Sequence, residues 1–478
     1  MLRQGVKRII YRLWRYFNKF ERHLNAAQLV VLSFLAVIIL GSLLLVLPIS
    51  QKPEAPSAGY IDCLFTAVSA TCVTGLVTVS TAGQWSFLGQ LVILAMIQTG
   101  GLSFVTLFTF FAANIGRKIN IKNRMVVQTA LNQNSLQGMV RIVTFAIKFT
   151  LLFEAIGGVL LFLFFRISEN VPAATAVYWG VFHSVSSFCN AGFDVIGDSS
   201  LSAYAASPLL NLTVMALIVT GGMGFTVWQN IKKMVIYHIN NKEGKRVRIS
   251  LHTKLALIST AVLIIAGALY FFATEYQNPL TLNPLSLSGK IWSSFFQSVT
   301  LRTAGFYTVD QFGLTESSKF VSSVLMLIGG SPGGTAGGIK TVTLAVLLSS
   351  IGATLKGNDN IDVLHRRVPQ RALQKSITII GVMFSMWFAV TTILEFTESG
   401  SAFPYTFMDL LFEVASALGT VGVTTGITPY LSIAGKIMIM ICMFIGRLGP
   451  VSIAVALQRK LAVSENDILL PKEDVLIG

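Results

Sequence analysis

The stretches FTAVSATCVTGL (Phe65–Leu76), FHSVSSFCNAGF (Phe182–Phe193), FFQSVTLRTAGF (Phe295–Phe306) and FEVASALGTVGV (Phe412–Val423) can be laid over one another without gaps. Each begins with Phe and carries Gly at its eleventh position; three have Ser at the fifth, and all end on an apolar residue. The shared glycines, Gly75, Gly192, Gly305 and Gly422, stand 117, 113 and 117 residues apart. Such internal repetition sets the architecture before any local reading. Working outward, each stretch follows an apolar run: Leu29–Pro48, Ile142–Phe165, Leu255–Phe272 or Ile377–Phe396. Each precedes another: Leu88–Ala113, Leu209–Ile231, Phe320–Ser350 or Ile433–Leu457. The second runs contain Gly100-Gly101, Gly221-Gly222, Gly329-Gly330 and Gly446-Arg447. The unit is therefore span, short re-entrant segment, span, four times over.

Composition agrees. Of 478 residues, 53% are hydrophobic and 12% charged, where soluble domains carry roughly 25% charged residues. Apolar runs long enough to cross about 30 Å of hydrocarbon mark an integral membrane protein, because a helix satisfies its own backbone groups where lipid cannot. The net charge of +15 does not point to nucleic acid, since the basic residues sit in particular loops. They cluster before the first run (Arg3 to Arg22), at Arg117–Arg124, at Lys232–Lys254 and at Lys356–Lys375. That asymmetry places these loops and both termini in the cytoplasm, and the four short segments then enter from outside. The first 25 residues interleave aromatic and basic residues without a cleavable signal pattern, which predicts an amphipathic segment on the inner surface. Cys63, Cys72, Cys189 and Cys442 show no metal-ligand spacing and read as packing residues.

A helix of about 12 residues covers roughly half the hydrocarbon thickness. Irregular backbone at that depth must line protein or a water-filled cavity. A ring of main-chain carbonyls replaces the hydration shell of a cation, and glycine reaches the backbone conformations that aim successive carbonyls at one axis. The partly negative ends of four short helices would favour a cation there. Close helix packing is the alternative use of glycine in membranes, but it does not require one register in four loops. The interrupted run GGSPGGTAGGIK (Gly329–Lys340) is incompatible with a lipid-facing helix and reads as a broken helix lining an ion path. Its G-x-S-x-G match at residues 329–333 follows a membrane span instead of the strand of a hydrolase and has no histidine nearby, and Ile339 spoils any phosphate-binding loop. No enzyme is expected.

The motifs CVTGL, CNAGF, RTAGF and GTVGV, together with GGSPGGTAGGIKT and IGRLGP, resemble those of the Trk/Ktr/HKT potassium transporter superfamily. Within it the chain is more similar to the bacterial Ktr-type membrane subunit than to the larger Trk-type subunit. The resemblance implies that the carbonyls of Val73, Thr74, Gly75, Asn190, Ala191, Gly192, Thr303, Ala304, Gly305, Thr420, Val421 and Gly422 line a K⁺ filter. In the plant branch Ser at the first glycine goes with Na⁺ preference, so Gly75 favours K⁺. It also implies that Gly329, Gly330, Ser331, Pro332, Gly333, Gly334, Thr335, Ala336, Gly337, Gly338 and Lys340 belong to a gate loop obstructing the path below the filter. A homodimer on a cytosolic RCK/KTN-type regulatory ring, KtrA- or TrkA-like, which carries the nucleotide, is implied as well. The contacts expected for that ring are the basic loops and the tail at Glu465–Ile477.

Several charged residues need separate readings. Arg447 is taken to place its positive charge in the path as a barrier, the alternative being a pair with a buried carboxylate. Arg302 is expected to point outward and pair with Glu413 or Asp194. Glu154 is either a functional site or a buried partner, His183 packs against protein, and Lys340 is a snorkelling anchor or a gate contact. The expected protein is all-α and membrane-integral, with eight transmembrane helices in four span–pore loop–span repeats and fourfold pseudosymmetry around a central pore. Its parts are residues 1–25 (N-terminal segment), 26–114 (first repeat), 115–236 (second, with linker), 237–355 (third, with gate loop 329–340), 356–459 (fourth) and 460–478 (tail). Its expected role is K⁺ uptake across a bacterial plasma membrane. A Na⁺- or H⁺-coupled K⁺ symporter and a Na⁺-conducting member of the same superfamily are the alternatives.

Overall fold

The computed structural model describes residues 24–114, 121–130, 138–197, 199–240, 249–358, 360–400 and 404–457. The basic N-terminal segment and the acidic tail, for which roles were expected, lie outside these residues. One order of elements recurs. In the first unit α1 (Ala26–Val46) is followed by the short α2 (Tyr60–Cys72), then by α3 (Phe87–Leu102) and α4 (Phe104–Asn114). After α5 (Ile121–Ala130), the second unit runs α6 (Met139–Leu163), α7 (Ala173–Cys189), α8 (Pro208–Gly222) and α9 (Phe225–Asn240). The third comprises α10 (Leu251–Glu275), α11 (Leu287–Thr300), α12 (Glu316–Leu327) and α13 (Thr341–Leu355). A two-stranded hairpin, Asp362–Val363 against Arg366–Arg367, leads to the fourth: α14 (Gln370–Thr397), α15 (Phe407–Gly419), α16 (Ile433–Leu448) and α17 (Pro450–Leu457).

Among the described residues, α1, α10, α14 and α6 with its extension to Ser168 are long and apolar enough to cross a membrane unaided. The pairs α3/α4, α8/α9 and α16/α17 also pass by length and composition, but bend by 85°, 99° and 95° at their joints. In the third unit, α12 and α13 hold the corresponding places and the segment 328–340 separates them. The long helices turn large apolar side chains outward, among them Leu40, Val159, Leu269 and Phe396. On a soluble protein such a surface would associate, whereas hydrocarbon solvates it. The short helices α2, α7, α11 and α15 sit inside, with Phe65, Phe182, Phe296 and Phe412 fully buried.

Polar groups stitch this core at its ends. Ser86, Thr315 and Ser432 cap the helices that follow the short segments by accepting the backbone N–H of Gly89, Ser318 and Gly435 at 3.1 to 3.3 Å. In the third unit the Glu275 carboxylate accepts Thr315 N at 3.1 Å and Thr315 Oγ1 at 2.7 Å. In the fourth, Glu398 accepts Ser432 N at 2.8 Å and Ser432 Oγ at 2.6 Å. A carboxylate at a helix N-terminus satisfies orphan donors and complements the dipole. Two ion pairs cross between units: Lys319 with Asp409, both buried, and Lys436 with Asp62, each at 2.9 Å.

The glycines at the joints serve packing. A Cβ on Gly100, Gly221 or Gly446 would strike the carbonyl oxygen of Thr71, Phe188 or Leu418. Each of those carbonyls is at the seventh position of the short segment in the same unit. The close-packing reading of glycine therefore describes the second runs, while the glycines of the short segments do something else.

Candidate functional site

Each short helix ends against a turn with one backbone pattern. Val73, Asn190, Thr303 and Thr420 have φ of 56°, 60°, 77° and 51°. Two residues later Gly75, Gly192, Gly305 and Gly422 have φ of 100°, 69°, 85° and 98°. The residues between them, Thr74, Ala191, Ala304 and Val421, keep negative φ. In an extended strand successive carbonyls point to opposite sides. Alternating the hand reverses every second peptide, so the carbonyls of such a turn face one way.

The four turns meet. A Cβ on Gly75 would lie 2.6 Å from the Ala191 carbonyl oxygen, and one on Gly192 would lie 2.8 Å from that of Ala304. One on Gly305 would lie 2.7 Å from that of Val421, and one on Gly422 would strike that of Thr74. The chain of contacts closes on itself, and the four carbonyls it touches are the middle ones of the four turns. The Thr74 oxygen also comes within 3.3 Å of the position a Gly305 Cβ would take. There is no room for side chains at this ring.

Hydrogen bonds from the helices hold the turns. Thr74 N, Ala191 N and Val421 N donate to the carbonyls of Ser69, Ser186 and Ser416 at 2.8 Å. Gly75 N and Gly422 N donate to the hydroxyls of Ser69 and Ser416 at 3.0 Å. The third turn differs. Ala304 N donates to Thr300 O at 2.9 Å, and Thr300 Oγ1 donates to Phe306 O as Ser186 Oγ does to Phe193 O. Phe296 is fully buried there while Phe295 is 39% exposed. The third segment thus has one residue fewer between helix and glycine, and the gapless alignment misplaces its helix by one position. The consecutive Phe295 and Phe296 conceal this in the sequence.

Asn190 and Thr303 join neighbouring turns. With the amide oxygen accepting Thr303 Oγ1 at 3.2 Å, the Asn190 NH₂ donates to Ser187 O at 2.9 Å and Ile218 O at 3.2 Å. Beneath the ring, segment 329–340 is built in through its backbone rather than hanging free. Ser331 N and Thr335 N donate to Gly222 O and Gly221 O at 2.9 and 3.1 Å, Phe225 N donates to Gly333 O at 3.0 Å, and Ile339 N donates to Leu327 O at 2.9 Å. A Cβ on Gly337 would collide with Thr420 Oγ1, so this segment passes directly against the fourth turn. Lys340 Nζ donates to Ala336 O at 2.6 Å and Gly337 O at 3.3 Å, which makes it a contact of this segment and not a snorkelling anchor.

Arg447 has no carboxylate partner among the described ion pairs. It donates to Thr335 O, to Gly100 O at 2.6 Å and to Gly101 O at 3.1 Å, clasping segment 329–340 to the joint of the first unit. A cavity of about 220 Å³ adjoins it, bordered also by Lys340, Lys375 and Gly333. Arg302 corrects the expectation of an outward carboxylate pair. It is buried and donates to Gly329 O at 2.7 Å, while Glu413 is occupied by the hydroxyls of Thr424 and Thr428. The one-residue shortening of the third segment accounts for this, since it turns residue 302 toward the start of segment 329–340.

Glu154 is buried, receiving Gln98 Nε2 at 3.3 Å and the Cys189 thiol at 3.8 Å. His183 is packed among Phe165, Phe182 and Phe306 with Nδ1 2.7 Å from Trp179 O. The four cysteines are free and buried. Sequence reading missed the Lys319–Asp409 pair. Its signal was available: a lysine directly before the run Phe320–Ser350 and an aspartate three residues before the segment Phe412–Val423.

Comparison with known proteins gives consistent matches. The TrkH family model, described as cation transport protein, matches residues 4–466. The potassium/sodium uptake protein NtpJ of Enterococcus hirae is 37% identical across 96% of this chain and 99% of its own length. The Ktr system potassium uptake protein B of Bacillus subtilis is 38% identical across 94% of this chain and 96% of its own. Among solved structures, the potassium transporter TrkH of Vibrio parahaemolyticus superposes with a TM-score of 0.68, covering 90% of this chain and 84% of its own at 16% identity. At that identity the likeness speaks for the fold.

Proposed function

The chain belongs to the TrkH family of cation transport proteins, and from that membership we propose that it takes up K⁺ through the ring of its four glycine turns. Its relatives are transporters and not enzymes. The observation that carries the proposal is the closed chain of contacts joining Gly75, Gly192, Gly305 and Gly422 around the carbonyls of Thr74, Ala191, Ala304 and Val421. Carbonyls preset at one place replace hydration oxygens without reorganising, which is what a dehydrating monovalent cation needs. Four short helices end at the ring, so their partly negative C-termini add to its attraction for cations.

In this reading the chain has eight spans with fourfold pseudosymmetry in a bacterial plasma membrane, and both termini are cytoplasmic. Residues 73–75, 190–192, 303–305 and 420–422 form the filter. Segment 329–340 is the gate, and Arg447 adds a positive charge below the ring while holding the gate to the first unit. Opening requires release of the Arg447 bonds to Thr335, Gly100 and Gly101. A homodimer on a cytosolic nucleotide-binding ring of the RCK/KTN type supplies that release.

A second reading, in which Na⁺ is also carried, draws on the relative described as a potassium/sodium uptake protein. Expression in a bacterium lacking its own K⁺ uptake systems, with and without a cytosolic ring subunit, tests both. Rescue of growth on low K⁺ with K⁺ influx exceeding Na⁺ influx is expected. Equal influx would favour the second reading, and absence of any cation influx with the chain present in the membrane would refute both. Influx at fixed voltage that requires external Na⁺ would replace the channel-like mechanism by coupled symport.

A further inference from the structure

Once the third segment is moved by its one-residue offset, the residue following the buried phenylalanine is polar in all four units: Thr66, His183, Gln297 and Glu413. All four are buried at 2% exposure or less. In the third and fourth units this side chain reaches the segment leaving the ring, at the sixth residue past the glycine. Gln297 and Gln311 exchange two hydrogen bonds, Nε2 to Oε1 at 2.7 Å and Nε2 to Oε1 at 3.1 Å in return, and Gln311 also donates to Val309 O at 2.7 Å. The Glu413 carboxyl receives the hydroxyls of Thr428 and Thr424, the latter at 2.7 Å. Thr424 in turn accepts Gly426 N at 3.0 Å, and its Oγ1 lies 3.0 Å from Thr428 Oγ1.

We infer that Glu413 and Gln297 are positioning residues that set the width of the ring, each acting as a strap between its short helix and the outgoing segment. The inference rests on the proposed K⁺ reading and deepens it. The glycines carry no side chains to stop the turns spreading, and the Asn190–Thr303 bond ties only the second turn to the third, so the spacing also depends on what stands behind them. The inner ends are held by the helix bonds to Thr74, Ala191, Ala304 and Val421. The outer ends of the third and fourth turns are held by the straps. A buried carboxylate costs several kcal/mol unless it is fully bonded, and a leucine would fill this place in an apolar core at no such cost. Glu413 fits a group retained for geometry, because both its oxygens are spent on the outgoing segment. Its hydrogen bonds run to Thr424 and Thr428, so it acts through them.

Uptake of K⁺ and Na⁺ measured side by side in the deficient bacterium tests this, with the amount of chain in the membrane determined for every variant. Glu413→Leu is expected to lower K⁺ over Na⁺ discrimination about tenfold, the equivalent of one charge-assisted hydrogen bond. Glu413→Gln keeps an acceptor oxygen and is expected to fall between Glu413→Leu and the unsubstituted chain. Thr428→Val is expected to lower discrimination as well, and the Glu413→Leu/Thr428→Val double variant to fall no further than Glu413→Leu alone. Unchanged discrimination in Glu413→Leu at normal membrane level, or additive losses in the double variant, would overturn the strap. Should Glu413→Leu not reach the membrane, Thr428→Val and Gln297→Leu read the straps from the far end and from the other unit, and unchanged discrimination in both overturns it. Gly75→Ser is measured alongside. If it alters discrimination while the strap variants do not, the strap fails and the ring reading stands; if it too has no effect, the ring reading falls.

Discussion

Replacing Gly192 by alanine perturbs the ring with the smallest side chain available. The backbone there has φ of 69°, a left-handed conformation that costs a residue with a Cβ about 1–2 kcal/mol. The added carbon would stand 2.6 Å from Gly305 Cα and 2.8 Å from Ala304 O, against about 3.5–4.0 Å for relaxed carbon contacts. Both neighbours are backbone of the next turn and cannot rotate away. Forcing a methyl group into such a place costs about 1–3 kcal/mol more. The total, about 3 kcal/mol, is small beside the 5–15 kcal/mol of stability roughly typical of folded domains, so the protein still folds. Relief comes from moving the second turn away from the third, which displaces the Ala191 and Ala304 carbonyls. At about 1.4 kcal/mol per tenfold, this corresponds to about a hundredfold loss of K⁺ transport if the whole strain falls on occupancy of the ring. Tracer influx in cells, normalised to chain in the membrane, is the assay. Gly89→Ala, against the Ser50 carbonyl outside the ring, serves as the packing control. K⁺ influx and ion preference unchanged in Gly192→Ala would refute the carbonyl-ring argument.

Two further outcomes follow from the same geometry. Arg447→Ala frees the carbonyls of Thr335, Gly100 and Gly101 and removes a positive charge below the ring, so the K⁺ influx rate should rise or lose its dependence on a ring subunit; influx kinetics identical to the unsubstituted chain would argue against the clasp. Lys319→Met leaves Asp409 buried without its cation and should cost about 3–5 kcal/mol, read as a lowered unfolding temperature in detergent, whereas Lys319→Met with Asp409→Leu should recover most of it.

The apolar helices and the meeting of the glycine turns were legible because their signal is periodic: four segments sharing Phe and Gly at one spacing, each flanked by apolar runs, contain the glycines that stand against one another. The offset of the third helix was hidden because Phe295 and Phe296 satisfy the pattern equally well, and only burial separates them. Arg302 was read as needing a carboxylate, since a charge in an apolar chain is expected to find an opposite one. In the structure a main-chain carbonyl serves instead, at Gly329. Arg447 follows the same logic. Carbonyls freed at a helix break are invisible in a list of side chains, yet they are unsatisfied acceptors in a region with little water. Segment 329–340 was recognisable from its glycines and proline, but its attachment to the joint of the second unit depends on backbone bonds that no residue type announces.

The closing contact of the ring joins Gly422 to Thr74 and Gly75, residues separated by 348 and 347 positions of the 478. During translation the first turn therefore emerges long before the partner that completes its surroundings. Units made early must wait in the bilayer as an open arc until the last one is inserted. A chain truncated after the third unit would leave the first and third turns each short of one neighbour, so its failure would be one of assembly and would not be confined to the missing quarter.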